Sequence, residues 1–344
     1  MASKFPQRKI GDRFVSAIGL GCMSLSIHSS AGVPDVQESL KVLTAAADLG
    51  INFWVTSDTY GAGHNEDILG RWFKETGRRD EIFLATKFGT KRSDGKLVLD
   101  STPDHVKAAC AASLERLQTD HIDMYLQHRV DPETPIEETV QAMVELKEEG
   151  KINQLGLSEC SARTLQRAHK VHPIEGVEIE FSPLALDIES PETNFLRTAR
   201  DLGVKIIPYS PLGRGFTTGA MKSREDFDVK DHRRMHPRFS DENFASNLKI
   251  VEGLASMAKE KGCRPGQLTL AWVLAQGDDF IPIPGTKHVE YLKENADAVK
   301  VELSQEDDKK IRKIIEDVGG VKGARYPEAY LSWCFGDSPE LGNQ

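Results

Sequence analysis

Short apolar runs alternate with longer amphipathic stretches along the whole chain. Eight runs of four to eight residues, mostly rich in β-branched or aromatic side chains, are predicted to be strands. They end near Gly21, Val55, Lys87, Gln127, Ser158, Phe181, Tyr209 and Ile283. Between these runs, apolar residues recur at helical spacing and predict helices over roughly 36–49, 65–76, 161–170, 191–203, 245–276 and 287–298. Two more helices are predicted after the start signals Thr102-Pro103-Asp104 and Pro135-Ile136-Glu137.

This alternation predicts an α/β fold with a parallel sheet, and eight units are the number that closes a (β/α)8 TIM barrel. A doubly wound open sheet is the alternative, but the first predicted strand ends in Gly19-Leu20-Gly21-Cys22-Met23-Ser24 and lacks the third glycine of a dinucleotide-binding turn. We expect one barrel domain over 1–344. A C-terminal helix and an aromatic-rich tail, about 321–344, should pack over the barrel. The segment 211–244 is interpreted as a polar lid without core residues.

Composition narrows the classes of function. The formal net charge is −9 and the pI is about 5.7, which argues against nucleic acid or an anionic membrane as partner. The N-terminus lacks the apolar run of a signal peptide, and no apolar stretch is long enough for a membrane span. The five cysteines are scattered without a C-x-x-C pair, so we expect reduced thiols in the cytoplasm and no metal site.

Reactive side chains occur where the predicted strands end. Tyr60 follows the second strand, Lys87 closes the third and His128 follows the fourth. In a TIM barrel these positions meet at one mouth, where the chemistry occurs. A phenol beside an ammonium is a candidate proton donor, because the cation stabilises the phenolate, and a histidine can orient a carbonyl group.

Two glycine-containing segments follow the seventh and eighth predicted strands, where barrels commonly bind phosphate. Arg214 and Lys287 supply cations there. Gly285-Thr286 directly precedes a predicted helix, whose N-terminal amides favour anions. The sequence therefore predicts a phosphate-bearing ligand on this side of the mouth.

Seven segments together resemble the NADP-dependent aldo-keto reductase family, most closely its fungal and plant branch. In chain order they are GLGCMSLS, GINFWVTSDTYG, ATKFG, DMYLQHRVD, GLSEC, IPYSPLGRGFTTG and IPGTKHVEYLKEN. The resemblance runs from about residue 8 to about residue 300. It implies a TIM barrel that transfers hydride from NADPH to an aldehyde or ketone without a metal, so that the expected partner is a small carbonyl compound as substrate; the oligomeric state stays open.

The resemblance also implies a role for individual residues. Tyr60 corresponds to the general acid, Lys87 to its cationic partner and His128 to the residue that orients the carbonyl. The implied NADPH site consists of Ser158, Glu178 and Phe181 at the nicotinamide, Ser210, Leu212, Gly213, Arg214 and Gly215 at the pyrophosphate, and Gly285, Thr286, Lys287, Tyr291, Glu294 and Asn295 at the 2′-phosphate and adenine.

Three positions depart from the family pattern. Val55 stands where the catalytic aspartate is expected, Glu178 where a glutamine is usual, and Phe181 where we expect the tyrosine that stacks on the nicotinamide. Without the aspartate, Lys87 should lack a carboxylate partner and its pKa should fall on burial. We therefore expect weakened activity and a gain on Val55→Asp, with Asp58 as a possible substitute partner.

Two other functions stay open at this point. A regulatory or sensor subunit that binds NADPH with little turnover would also explain Val55. A metal-dependent barrel hydrolase has little support, because neither H-x-H after the first strand nor H-E-x-x-H occurs.

Overall fold

Parallel strands form the centre of the computed structural model, which describes residues 5–26, 35–93 and 96–342. The strands are β1 (Gln7–Ile10), β2 (Arg13–Ser16), β3 (Leu20–Gly21), β4 (Phe53–Val55), β5 (Phe83–Phe88), β6 (Thr90–Ser93), β7 (Lys96–Leu99), β8 (Ile122–Gln127), β9 (Ile152–Ser158), β10 (Gly176–Glu180) and β11 (Lys205–Tyr209). Seven of them pair in the order β11-β10-β9-β8-β5-β4-β3, all parallel. Each strand lies beside the preceding one in the chain, as in a barrel, whereas a doubly wound sheet reverses its order midway.

The segment 280–285 closes the barrel between β11 and β3. The amides of Ile281 and Ile283 donate to β11, and the carbonyls of Pro282 and Pro284 accept from backbone amides in and just before β3, at 2.8–3.2 Å. A proline has no backbone N–H, so Pro282 and Pro284 cannot complete the hydrogen-bond pattern of a regular strand. The segment 280–285 is nevertheless bonded on both sides and serves as the eighth stave, or wall element, of the barrel. The predicted TIM barrel is confirmed.

Helices connect the staves and cover the outside of the barrel. They are α1 (Val36–Leu49), α2 (His64–Thr76), α3 (Pro103–Leu117), α4 (Ile136–Glu148), α5 (Ala162–Val171), α6 (Phe195–Asp201), α7 (Asp241–Glu260), α8 (Pro265–Ala275), α9 (Val289–Asp297), α10 (Gln305–Asp317) and α11 (Glu328–Leu331). The helical stretch predicted over 245–276 is two helices, because Gly262 adopts φ +69° and Pro265 begins the next helix. Within the described residues, no helix is both long and apolar enough to cross a membrane.

An N-terminal hairpin of β1 and β2 closes the bottom of the barrel. Ile10 and Val15 are fully buried and belong to the same apolar cluster as the inward-facing side chains Phe53, Phe83 and Ile207. The amino ends of the strands are therefore filled, and the opposite end is left for ligands.

The segment 211–244 has an apolar core of its own, and the prediction that it is too polar for one is wrong. Phe216, Phe227, Phe239 and Phe244 are buried and pack edge to face, with ring centroids 5.0–6.0 Å apart. Each ring contacts two of the others in the edge-to-face arrangement that aromatic pairs prefer. Four aromatic residues spread over 29 positions gave no periodic signal in the sequence.

The C-terminal tail lies over the carboxyl ends of β9, β10 and β11, as predicted. Arg325 is 7% exposed and donates to Glu159 at 2.9 and 3.1 Å. It also lies 3.5 Å from Glu180, which pairs with Arg238 at 2.8 Å. Gly336 forms a parallel bridge with the residue after Glu159. These buried charges join the tail to the ends of β9 and β10, and the hydroxyl of Tyr326 lies 3.1 Å from that of Tyr209 at the end of β11.

We predict that Arg325→Met lowers the free energy of unfolding by about 3–5 kcal/mol, because it leaves Glu159 buried without its main cation. Urea unfolding at pH 7 measures the loss. Arg163→Met is the matched control: its pair with Glu340 also joins the tail to the barrel but is about two-thirds exposed, so about 0–1 kcal/mol is expected. Equal losses in the two variants would contradict the prediction.

The contact between Arg325 and Glu159 also makes the free energy of unfolding depend on pH. Burial by itself would raise the pKa of Glu159, but Arg325 and the neighbouring donors lower it to about 2. A carboxyl whose pKa is lowered by folding contributes stability that is full above its unfolded pKa of about 4.5 and is lost as pH falls toward 2. The difference between parent and Arg325→Met should therefore shrink on acidification.

Candidate active site

Three residues predicted to be catalytic meet at the open end of the barrel. The rings of Tyr60 and His128 are edge to face, with centroids 5.9 Å apart and planes at 83°. The Nζ atom of Lys87 lies 5.0 Å from the centroid of Tyr60 and interacts with its hydroxyl. A phenol, an ammonium and an imidazole thus share one pocket.

A tight turn after β4 brings Tyr60 into this pocket. Gly63 in that turn adopts φ +94°, and a Cβ atom there would lie 2.9 Å from the side chain of Arg116. Both the backbone conformation and the space therefore require glycine. The chain can reverse into α2 within four residues and leave the tyrosine at the mouth.

Lys87 has a carboxylate partner, so the expectation that it lacks one is wrong. Its Nζ atom donates to Oε2 of Glu178 at 2.8 Å, with the two side chains 0% and 5% exposed. The sequence offered no cue for this contact, because β5 and β10 are separated by β8 and β9 in the sheet. The pair forms across the lumen of the barrel.

The expected fall in the pKa of Lys87 is also wrong. Burial opposes the charged form, but Glu178 and Tyr60 outweigh it, and the pKa of Lys87 lies above its ordinary value. Burial likewise raises the pKa of Tyr60; Lys87 opposes that rise and Glu178 adds to it. Near neutral pH the pocket therefore holds an ammonium and a protonated phenol.

Val55 faces the lumen, as strand alternation predicts, and is 2% exposed. It belongs to the apolar cluster that includes Phe53, Ala85 and Ile283. β4, which carries Val55, is adjacent to β5, which carries Lys87. The Val55 side chain packs against apolar neighbours and carries no charge. This position contributes shape and not charge.

Asp58 forms no salt bridge with Lys87 in the described part of the chain, where Lys87 pairs with Glu178. Its carboxylate accepts from Ser57 at 3.2 Å. Burial, followed by the charge of Glu66, raises the pKa of Asp58 to about 7. Asp58 therefore does not replace the missing aspartate as the partner of Lys87.

Ser57 and Arg129 are site residues that the sequence analysis missed. Ser57 Oγ lies 3.2 Å from Nδ1 of His128, and Arg129 donates to the carbonyl of His128 at 2.9 Å and to Ser158 Oγ at 3.2 Å. Burial, then Lys87 and Arg129, lower the pKa of His128 well below its ordinary value, so the imidazole is neutral. Alternation from Val55 places Ser57 on the lumen side, and this was the available signal.

Phe181 does not line the pocket, and its prediction as the stacking ring is wrong. It is fully buried and stacks on Trp272, with centroids 5.3 Å apart and planes at 12°. It follows the last residue of β10 and has the parity of Val177 and Ile179 in that strand, which face the helices. Tyr209, at the end of β11, is an aromatic residue that does reach the mouth: it is only partly buried, and its hydroxyl donates to Glu159 at 2.8 Å.

The loop after β11 presents polar groups without partners in the described part of the chain. The amide of Gly213 donates to the carbonyl of Ser210, and that of Gly215 to Leu212. This compact turn holds Arg214 against the ring of Tyr326 at 4.9 Å. The Nε and Nη2 atoms of Arg214 are buried and without a hydrogen-bond partner, so this guanidinium can receive an anion.

The segment after the eighth stave lies beside this loop. A Cβ at Gly285 would lie 2.9 Å from the carbonyl oxygen of Gly21, so the backbones approach as closely as glycine allows. A Cβ at Gly266, in the first turn of α8, would lie 3.7 Å from side-chain atoms of both Leu212 and Glu294. Predicted ligand residues on this segment differ in burial: Thr286 and Asn295 are buried, Lys287 and Glu294 partly buried, and Gly285 and Tyr291 exposed.

Within the described residues, no group of three His, Cys, Asp or Glu side chains is arranged to hold a metal ion.

Curated relatives cover nearly the whole chain. An aldo-keto reductase, yakc [NADP(+)], from Schizosaccharomyces pombe is 49% identical over 338 residues, 98% of each chain. The aldo-keto reductase str7 of Strobilurus tenacellus is 48% identical over 342 residues, again 98% of each. A probable aldo-keto reductase 1 of Glycine max is 41% identical over 94% of this chain and 93% of its own.

Solved structures agree with the fold. A glycerol dehydrogenase from Gluconobacter oxydans superposes with a TM-score of 0.82 at 28% identity, covering 92% of this chain and 96% of its own. An aldo-keto reductase from Bacillus halodurans, in its holo form, gives 0.73 at 27% identity over 94% and 99%. The model of the Aldo/keto reductase family matches residues 17–316, a span that contains the whole barrel and its mouth. The chain belongs to the aldo/keto reductase family.

Proposed function

We propose that this protein reduces aldehydes or ketones to alcohols with NADPH, at the pocket formed by Tyr60, Lys87 and His128. The observation that carries the proposal is a protonated phenol beside a buried, ion-paired ammonium in a family of oxidoreductases. The Schizosaccharomyces pombe relative, whose name includes NADP(+), supports the choice of cofactor.

The residues around the mouth fit a phosphate-bearing dinucleotide. Buried polar atoms without partners in the described residues occur at Ser24, Arg214 and Thr217. Such orphaned groups are costly unless a ligand or water satisfies them. We propose that Arg214 holds the pyrophosphate, Lys287 the 2′-phosphate, Ser158 the carboxamide, and the ring of Tyr209 the nicotinamide face. NADPH, when bound, supplies hydride from C4 of its nicotinamide.

Each pocket residue has a defined part in the reaction. Tyr60 donates its proton to the carbonyl oxygen as that oxygen gains negative charge. Lys87 stabilises the resulting phenolate by its charge. His128 is neutral, so when its Nδ1 accepts from Ser57 its Nε2–H can donate to the carbonyl oxygen.

We propose full reductase activity and not a sensor. Weak turnover would follow from a buried Lys87 without a carboxylate partner, and Glu178 supplies that partner. A sensor would bind NADPH and oxidise it no faster when aldehydes are added, so a panel of aldehydes separates the two functions.

Tyr60→Phe is expected to lower kcat for reduction of an aromatic aldehyde by about 10²–10⁴-fold, because the proton donor is removed. Fluorescence titration should show unchanged NADPH affinity. Tyr330→Phe, at an exposed ring of the tail, is the matched control and should retain parent activity. A Tyr60→Phe enzyme as fast as the parent would require another proton donor, with His128 the first to test.

Lys287→Met is expected to weaken NADPH binding by about 10-fold or more while leaving NADH binding unchanged, because a charge-assisted bond to the 2′-phosphate is lost. Titration of both cofactors measures the ratio. Lys293→Met, an exposed lysine in α9, controls for a general loss of positive charge. If the parent binds NADH and NADPH equally, the assignment of Lys287 is wrong.

The reduction rate should depend little on pH near neutrality. The pKa of His128 lies well below 6.5, and those of Tyr60 and Lys87 lie above 10, so none changes charge between about pH 6 and pH 8. Asp58, with a pKa of about 7, is the candidate for any inflection there. We expect kcat to vary less than about threefold over this range, and Asp58→Asn to remove the variation.

A further inference from the structure

Val55 cannot supply a charge to the pocket, yet the ammonium of Lys87 is fully buried in that pocket. An ammonium removed from water remains charged only with a close anionic partner. Among the described residues, Glu178 is the carboxylate that forms a salt bridge with Lys87, at 2.8 Å. Val55, on the strand next to Lys87, is packed in an apolar cluster.

We propose that Glu178 is the positioning residue for Lys87, and that the carboxylate required by the proton donor has moved across the barrel, from β4 to β10. The inference rests on the proposed function for its catalytic meaning, but the charge contact itself does not. Glu178 occupies the lumen side of β10, level with Ser158 of β9. From there its side chain crosses the lumen to Lys87 on β5, which is separated from β10 by β8 and β9 in the sheet.

The substitutions at 55 and 178 are complementary in charge. The family pattern stated above has a carboxylate at 55 and a neutral amide at 178, and this chain has an apolar side chain at 55 and a carboxylate at 178. The number of negative charges facing Lys87 is therefore unchanged. A second carboxylate, added at 55, would face Glu178 in a dry pocket that holds one ammonium, so Val55→Asp alone should not increase activity.

Relocation also changes what holds Lys87 in place. A carboxylate on the adjacent strand would approach the lysine from the side. Glu178 instead approaches from across the lumen and spans it. Lys87 is thereby fixed between Glu178 and Tyr60, since both interact with its ammonium. Loss of Glu178 should free the lysine as well as lower its pKa.

The test compares four proteins: the parent, Glu178→Gln, Glu178→Gln with Val55→Asp, and Glu178→Gln with Val55→Asn. Val55→Asn is the matched control, because it has the size of aspartate without the charge. In Glu178→Gln, burial should lower the pKa of Lys87, so kcat falls as pH rises through that lower value. We expect kcat at pH 8 to be at least about 10-fold below the parent and the deficit to be smaller at pH 6.

Val55→Asp in the Glu178→Gln background should restore most of the rate and the flat pH profile, whereas Val55→Asn should not. A rate for Glu178→Gln equal to the parent, or a deficit independent of pH that Val55→Asp leaves unchanged, would overturn the proposal. A purely structural role of Glu178 would lower the rate equally at every pH.

A titration of the protein without cofactor separates this inference from the proposed function. With ¹³C-labelled lysine, the Nζ-linked carbon of Lys87, assigned with Lys87→Arg, reports its protonation by NMR. Glu178→Gln should bring the transition down into the accessible pH range, and Val55→Asp should move it up again. If the parent shows no Tyr60-dependent turnover but the titration shifts as described, the proposed reaction is wrong and the relocated ion pair stands. An unshifted titration contradicts the ion-pair role directly.

Discussion

A buried ammonium at the mouth of a barrel must have an anion beside it, and in this protein that anion comes from the far side of the lumen. The pair of Lys87 and Glu178 connects β5 to β10, and its position sets the charge of everything around it. Burial lowers the pKa of His128 and the charge of Lys87 lowers it further, so the imidazole is neutral. Burial also raises the pKa of Tyr60; Glu178 adds to that rise and Lys87 opposes it. Because the charges are buried, water screens them little, and small changes in partner geometry have large effects on the pocket.

The barrel makes this contact possible by filling its other end. The N-terminal hairpin and the inward-facing apolar residues of the strands form a plug, so the lumen is a packed core at the bottom and a polar pocket only at the top. Val55 lies at the boundary between the two. The apolar layer ends with it, and the ion pair lies in the next layer toward the mouth.

Local periodicity was enough to predict the strand ends and therefore the meeting of Tyr60, Lys87 and His128. It was not enough for contacts between distant strands, and for this reason the partner of Lys87 was missed. Phe181 was misassigned although the parity of Val177 and Ile179 already indicated its direction. The aromatic core of 211–244 was missed for another reason: its four phenylalanines meet through an irregular path, and irregular paths leave no repeat in the sequence.

The clamp formed by Arg325 on Glu159 and Glu180 has a consequence for how the chain matures. These two glutamates precede their arginine by 166 and 145 residues, so during synthesis they emerge well before it. Until Arg325 has left the ribosome, Glu159 lacks its main cation and must remain hydrated, so the end of β9 cannot close over it. The barrel wall can form earlier in translation, but the rim beside Tyr209 is completed only once Arg325 has been synthesised and has left the ribosome.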